Sequence, residues 1–255
     1  MTRPQGIIFD LDGTVYRGEQ LIPGARETIE RMRELQHPLV FVTNAIETVD
    51  EHVDKLTRLG IRVSPDEIIT AAVVFIEHLR KTMPDARIFA LADPVLIEQL
   101  APHFRFSENP DEIDVVVAST DRSFDYRKVT IAFHAIRRGA RFWATNVDAT
   151  WAQDGAEVPD AGAVIGAIEG CTNRKVELVA GKPSPLALGL ALARLGRNAN
   201  ECMIIGDSLP SDIAFGKNAG MKTALVLTGV TRREQLIGAS VQPDFVWDSI
   251  ADMLR

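Results

Sequence analysis

The sequence predicts an α/β fold: a Rossmann-like parallel-sheet core with helices on both faces and an inserted smaller α/β domain. Three observations predict it. Short β-rich apolar runs alternate with segments of helical period from end to end, the pattern of parallel strands covered by helices. The chain has 255 residues, 46% of them hydrophobic, enough to bury a full core. Two of the apolar runs end abruptly in aspartate, at Phe9-Asp10 and at Gly206-Asp207.

Gly6 to Asp10 reads as a buried strand. Gly24 to Gln36 reads as a helix with Ala25, Ile29, Met32 and Leu35 on roughly one face, and His37 to Asn44 returns as a strand. Two helical stretches follow, Glu47 to Leu59 and Ser64 to Arg80. Ser64 stands at capping-box distance from Glu67, with Pro65 in the first helical position. A fresh set of strand and helix signals runs from Arg87 to about Val176 and includes Asp114 to Ser119, Arg127 to Arg138 and Arg141 to Asn146. This is read as the insertion. Leu178 to Lys182, a helix from Pro185 to Leu195, a strand from Glu201 to Asp207, a helix capped by Ser211 and ended by Gly220, and a strand from Thr223 to Thr228 resume the first pattern. Asp244 to Trp247 and Ile250 to Leu254 complete it. The expected division is 1–82 for the first part of the core, 83–177 for the inserted domain and 178–255 for the second part of the core.

A net charge of -7 argues against a basic groove for nucleic acid and leaves a small molecule as the expected partner. The first apolar run begins almost at the N-terminus and no stretch is long enough to span a bilayer, so neither a secretion signal nor a membrane partner is expected. The two cysteines, Cys171 and Cys202, lie far apart and are read as reduced core thiols of a cytoplasmic protein. The oligomeric state stays open.

The chemistry concentrates at strand ends. In open α/β sheets the ligand crevice lies beyond the carboxyl ends of the strands, where Asp10 and Asp12 are expected. Their i, i+2 spacing turns both carboxylates the same way along an extended chain, and Gly13 permits a sharp exit. A calcium loop starting at Asp10 is excluded, since it would need glycine where Val15 stands, glutamate where Leu21 stands, and a preceding helix. Asp207 and Asp212 repeat the design after a second apolar strand. Carboxylates this close around a phosphate dianion would repel one another by about 4 kcal/mol per unit-charge pair at about 4 Å and an effective dielectric of about 20. A cation must hold them, and an oxygen-only donor set favours Mg²⁺. Thr43 and Asn44, ending another strand, can hold phosphate oxygens through a hydroxyl and backbone amides, and Lys182 supplies a fixed positive charge.

Asp10-Leu11-Asp12-Gly13-Thr14, Thr43, Lys182 and Asp207 with Asp212 resemble, in order, the four motifs of the haloacid dehalogenase-like superfamily, most of whose members are phosphatases. The resemblance implies that Asp10 attacks phosphorus to form an aspartyl-phosphate and that Asp12 acts as general acid and then base. It implies that Thr43 and Lys182 bind the phosphoryl group, that Asp10, the Asp12 carbonyl and Asp207 ligate Mg²⁺, and that Asp212 supports the metal. Asp12 and Thr43 are too close in the chain to hold an inserted domain, whereas Asn44 to Lys182 leaves ample room. That placement resembles the type-2 α/β cap of subclass IIA, the NagD-like and 4-nitrophenyl phosphatases, as do Asp121-Arg122-Ser123-Phe124 and Ala144-Thr145-Asn146-Val147-Asp148-Ala149-Thr150.

Within the insertion, Asn146 to Gly162 is the expected substrate-selecting stretch, with Asn146, Asp148 and Asp154 as candidates, and Trp143 and Trp151 are read as packing residues. The implied substrate is a small phosphorylated metabolite, whether sugar phosphate, nucleotide, phosphoglycolate or glycerol phosphate. Two other readings use the same fold: a phosphoryl-accepting signalling or binding protein without rapid turnover, and a carbon-halogen hydrolase. Asp12, as a leaving-group acid, speaks for phosphate ester hydrolysis against both.

Overall fold

The computed structural model describes residues 4–153 and 156–254 and divides into two compact units. The first holds residues up to Thr43, Val49–Thr70 and the chain from Lys182 on, and the second holds Asn44–Thr48 and Ala71–Gly181.

The first unit is built on a six-stranded parallel sheet. Its strands lie in the order Phe245–Trp247, Lys222–Val226, Cys202–Gly206, Gly6–Phe9, Leu39–Thr43, Ile68–Thr70. The first strand in the chain is therefore interior, with one half of the sheet built outward on each side of it. That is the doubly wound arrangement, and its switch point lies between Gly6–Phe9 and Cys202–Gly206. Alternate side chains serve the two faces. Ile7, Phe9, Phe41, Met203 and Ile205 join Ala25, Ile29 and Met32 of the helix Ala25–Glu34 and Leu56 of the helix Val49–Arg58 in one buried cluster. Each such aliphatic or aromatic side chain contributes roughly 1.5–3 kcal/mol by leaving water. The helix Pro185–Leu195 packs on the same central strands and buries Ala187, Ala191 and Leu195. It starts where Ser184 accepts a hydrogen bond from the Leu186 amide at 3.2 Å with proline in the first turn, and it stops at Gly196, whose φ is 61°.

The second unit carries a five-stranded parallel sheet in the order Leu178–Val179, Arg141–Ala144, Val115–Ala118, Arg87–Leu91, Arg105–Phe106. One face packs through Phe89, Leu91, Val116, Phe142 and Ala144 on the helices Tyr126–Arg137 and Ala161–Thr172. Trp143 points the other way and meets the edge of Phe75 with ring centroids 6.3 Å apart. It is a packing residue, as expected. Two small antiparallel ribbons complete the units, Tyr16–Arg17 with Gln20–Leu21 in the first and Thr150–Gln153 with Ala156–Pro159 in the second.

Three local expectations are corrected. Ser64 to Arg80 is not one helix: Ser64 and Glu67 do form a reciprocal cap, but it closes a single turn, Pro65–Glu67, after which Ile68–Thr70 is a fully buried edge strand and the helix runs Ala71–Thr82. Two isoleucines and a threonine suit a pleated edge, and pairing with Leu39–Thr43 outweighs local helical propensity there. The cap expected at Ser211 sits at Ser208, which accepts from the Ser211 amide at 3.3 Å. Cys202 is buried, but Cys171 is exposed near the end of its helix. The helix Ala71–Thr82 packs within the second compact unit, with Phe75 on Trp143.

Candidate active site

Asp10 and Asp207 are the residues that follow the two strands flanking the switch point. The Asp10 amide still donates to the Ile205 carbonyl at 2.9 Å, so the sheet ladder itself fixes where the nucleophile candidate leaves the strand. Asp10, Asp207 and Asp212 are all buried, and each offers a carboxylate oxygen within 4.8 Å of the others. Lys182 is buried with them, 2% exposed, and its Nζ donates to Asp10 Oδ1 at 2.5 Å and Asp212 Oδ1 at 2.6 Å. The second Asp212 oxygen accepts from the amides of Asp207 at 3.1 Å and Ser208 at 3.0 Å. Asp212 thus braces both the lysine and the loop that carries Asp207.

Burial is the largest influence on these groups. It pushes the Asp10 carboxyl up to about 7, against the pull of Lys182, and pushes Asp207 well above the usual carboxylate range, helped by the repulsion of Asp10 and Asp212. Burial also opposes the Lys182 charge, but Asp10 and Asp212 outweigh it and raise its pKa. Fully ionised, three carboxylates against one ammonium would leave two negative charges unbalanced in a buried space, and the raised pKa values of Asp10 and Asp207 answer that repulsion by favouring their protonated forms. An acidic cluster of this kind can hold a metal ion, and hard oxygen donors alone suit a hard divalent cation.

Asp12 lies just beyond, in a tight turn. The Leu11 carbonyl accepts from the amides of Val15 at 2.8 Å and Tyr16 at 3.2 Å, while the Gly13 amide donates to the Tyr16 carbonyl at 2.7 Å. Asp12 is exposed where Asp10 is 7% exposed, so the two differ sharply in environment. Gly13 has φ 77°, and a Cβ there would stand 2.5 Å from an Asp207 oxygen. Only glycine meets both conditions. Thr43 closes the Leu39–Thr43 strand and is buried, in the same unit as Asp10, Lys182, Asp207 and Asp212.

Family models match two stretches of the chain, residues 7–103 as haloacid dehalogenase-like hydrolase and residues 179–253 as HAD-hydrolase-like. Sugar-phosphatase AraL of Bacillus subtilis is 39% identical over 99% of this chain and 93% of its own length. The chain belongs to the haloacid dehalogenase-like hydrolases, in the NagD-like branch of subclass IIA. Among solved structures of that branch, the p-nitrophenyl phosphatase from Archaeoglobus fulgidus superposes with a TM-score of 0.92 at 32% identity, covering 99% of both chains. NagD from E. coli superposes with a TM-score of 0.87 at 28% identity, covering 98% of both.

In this hydrolase, three further sequence-derived candidates, Asn44, Asn146 and Asp148, lie in the second unit. Asn44 belongs to the second unit, where its Nδ2 donates to Asp148 Oδ2 at 2.7 Å. Asn146 is buried, and its Nδ2 donates to the Asn44 carbonyl at 3.1 Å and to Asp160 Oδ2 at 3.4 Å. Asn44 is thus hydrogen-bonded to both Asp148 and Asn146 within the second unit. Asp154 lies outside the described residues.

One stretch escapes sequence reading altogether. After the Lys222–Val226 strand, the Val230 amide donates to Asp207 Oδ2 at 2.6 Å and the Thr231 amide to the Asp207 carbonyl at 3.2 Å. Gly229 lies so close that a Cβ would fall 1.7 Å from Asp207 Oδ2. Backbone amides and a missing side chain carry no residue-type signature; the Thr-Gly pair after a strand is the only signal available.

Proposed function

We propose that this phosphatase hydrolyses small sugar phosphate esters with Mg²⁺, through an aspartyl-phosphate on Asp10. The observation that carries this reading is the Lys182 ammonium held between Asp10 and Asp212 beside Asp207, at the switch point of the sheet. Sugar phosphates are chosen because AraL and the staphylococcal acid sugar phosphatases, the latter 30% identical over 96% of the chain in Staphylococcus epidermidis, bear that substrate in their names. Hydrolysis is preferred to phosphoryl storage because Asp12 stands two residues from the nucleophile, and to dehalogenation because an ester oxygen needs a proton on leaving and a halide does not.

In the proposed sequence an Asp10 carboxylate oxygen bonds to phosphorus while the bond from phosphorus to the ester oxygen breaks. Asp12 gives its proton to that oxygen as it departs. Water then attacks the phosphorus of the aspartyl-phosphate, Asp12 takes the water proton, and phosphate leaves with Asp10 restored. Lys182 and Thr43 hold the phosphoryl oxygens. Mg²⁺, which Asp10, Asp207 and the Asp12 carbonyl would hold, supplies positive charge against the phosphate dianion and keeps Asp10 ionised. Lys182 guides the same ionisation from the protein side. With two free cysteines and an acidic surface charge, we place the enzyme in the cytoplasm.

The test is phosphate release from 4-nitrophenyl phosphate and from a panel of sugar phosphates, nucleotides, phosphoglycolate and glycerol phosphate, with Mg²⁺ present. Asp10→Asn is expected to lower kcat by about a thousandfold or more without changing the melting temperature appreciably. Full activity in that variant would sink the nucleophile assignment. Activity surviving thorough chelation by EDTA would remove the metal, and a preference for nucleotides over every sugar phosphate would overturn the substrate class.

A further inference from the structure

We infer that Thr228 is a positioning residue for Asp12, an inference that rests on the proposed role of Asp12 as general acid. Thr228 stands just past the Lys222–Val226 strand and is half-buried. Its hydroxyl donates to the Gly13 carbonyl at 2.6 Å, and its own carbonyl accepts a hydrogen bond from Arg17 Nη2. Gly13 and Arg17 bracket the turn that follows Asp12, and that turn is closed on itself by the Gly13 amide on the Tyr16 carbonyl at 2.7 Å. A single residue therefore ties down both ends of it.

The tie matters because of where the neighbours of Thr228 go. Gly229 presses on the Asp207 carboxylate with no room for a Cβ, and the amides of Val230 and Thr231 hold Asp207 at Oδ2 and at its carbonyl. Residues 228–231 thus grip the turn after Asp12 at one end and the second acidic strand end at the other. Asp10 is fixed by burial and by the sheet ladder. Asp12 is exposed, and the backbone turn that carries it sets where its side chain starts from. A proton donor must stand within hydrogen-bond reach of the departing oxygen, so a loosened turn costs proton transfer before it costs phosphate binding.

Leaving-group dependence isolates this effect. 4-Nitrophenolate departs readily without protonation, whereas phenolate is a poorer leaving group and gains more from a proton delivered as the bond to phosphorus breaks. The two esters differ only in the nitro group, and kcat/KM reports the steps up to departure of the alcohol in each case. Thr228→Val keeps the shape and removes the hydroxyl; Thr228→Ser keeps the hydroxyl. We expect Thr228→Val to lower kcat/KM for phenyl phosphate by about tenfold more than for 4-nitrophenyl phosphate. Thr228→Ser is expected to restore the wild-type ratio, and inhibition by inorganic phosphate should be unchanged in both.

The ratio of two substrates on one preparation does not depend on how much of the protein is folded, so a poorly folding variant still gives a reading, and Thr228→Ala supplies a second one. A wild-type ratio in Thr228→Val and Thr228→Ala, with Asp12→Asn inactive on phenyl phosphate, overturns the role of Thr228 alone. Retention of wild-type kcat/KM for phenyl phosphate by Asp12→Asn overturns the acid role of Asp12 and this inference with it. An equal loss on both esters in Thr228→Val assigns the residue to general support of the loop and also overturns the inference.

Discussion

Lys182 and Gly229 are both hard to replace, for opposite reasons. Lys182 is a buried cation whose partners are buried carboxylates. Lys182→Met should cost about 3–5 kcal/mol of stability, because Asp10 and Asp212 lose their partner without gaining water. Denaturant unfolding measures it, and a loss under about 1 kcal/mol would mean that the carboxylates take up protons or solvent more easily than their burial suggests. Gly229 contributes nothing but absence. Gly229→Ala must move Asp207, so the Mg²⁺ concentration giving half-maximal activity should rise at least about tenfold, at an overpacking cost of about 1–3 kcal/mol. The contrast bears on what a sequence discloses. A lysine and four aspartates at strand ends announce their chemistry by type, whereas Thr228, Gly229 and Val230 act through a hydroxyl on a carbonyl, a missing Cβ and an amide. Nothing in their identity separates them from an ordinary turn.

Helix ends and strand edges carry the next level of control. Asp160 caps the helix Ala161–Thr172, accepting from the Ala161 amide at 2.7 Å, and it also accepts from the Thr120 hydroxyl. Burial raises its pKa above the ordinary 3.8, despite the hydrogen bonds that favour the charged form. The folded protein therefore holds this proton more tightly than the unfolded chain. Its contribution favours folding below the unfolded value and is lost as the pH rises through the folded one. Asp160→Asn keeps an oxygen for the cap and cannot ionise, so its melting temperature should gain on the wild type as the pH is raised from about 4 to 7. A constant difference across that range would contradict the shift. The same level is where sequence reading slips most. The reciprocal cap of Ser64 and Glu67 is legible locally, but that it closes one turn and is followed by a strand depends on the open edge of Leu39–Thr43, far away in the chain. Asn146 and Asp148 stand out in the sequence as polar groups in a Gly- and Pro-punctuated loop, but their bonding to Asn44, about a hundred residues distant, is invisible to local pattern.

At the scale of the molecule, the alternation of elements is enough to read the parallel α/β architecture, since each strand and each helix betrays its period independently. The order of strands is not legible from composition or period, and it is the order that places Asp10 beside Asp207. The compact units likewise follow packing that no local signal reports, such as Phe75 on Trp143. Because three buried carboxylates meet at the site, a bound Mg²⁺ should stabilise the first unit, by about 2.7 kcal/mol when present at about a hundredfold over its dissociation constant. Thermal melts with and without Mg²⁺ measure this, and the increment should vanish in Asp207→Asn. An undiminished increment in that variant would place the stabilising cation elsewhere.

The interior position of Gly6–Phe9 also sets a timetable for synthesis. The strand that ends at Asp10 is made well before one of its two neighbours, Cys202–Gly206, which lies far along the chain. Until then its edge toward that neighbour has no sheet partner, while residues 71–181 have already been supplied with all five strands of their own sheet. A nascent chain halted before residue 202 would bear Asp10, Asp12, Thr43 and Lys182 and still lack Asp207 and Asp212. The cluster of Asp10, Asp207 and Asp212 therefore comes together only once the chain has been made past residue 212.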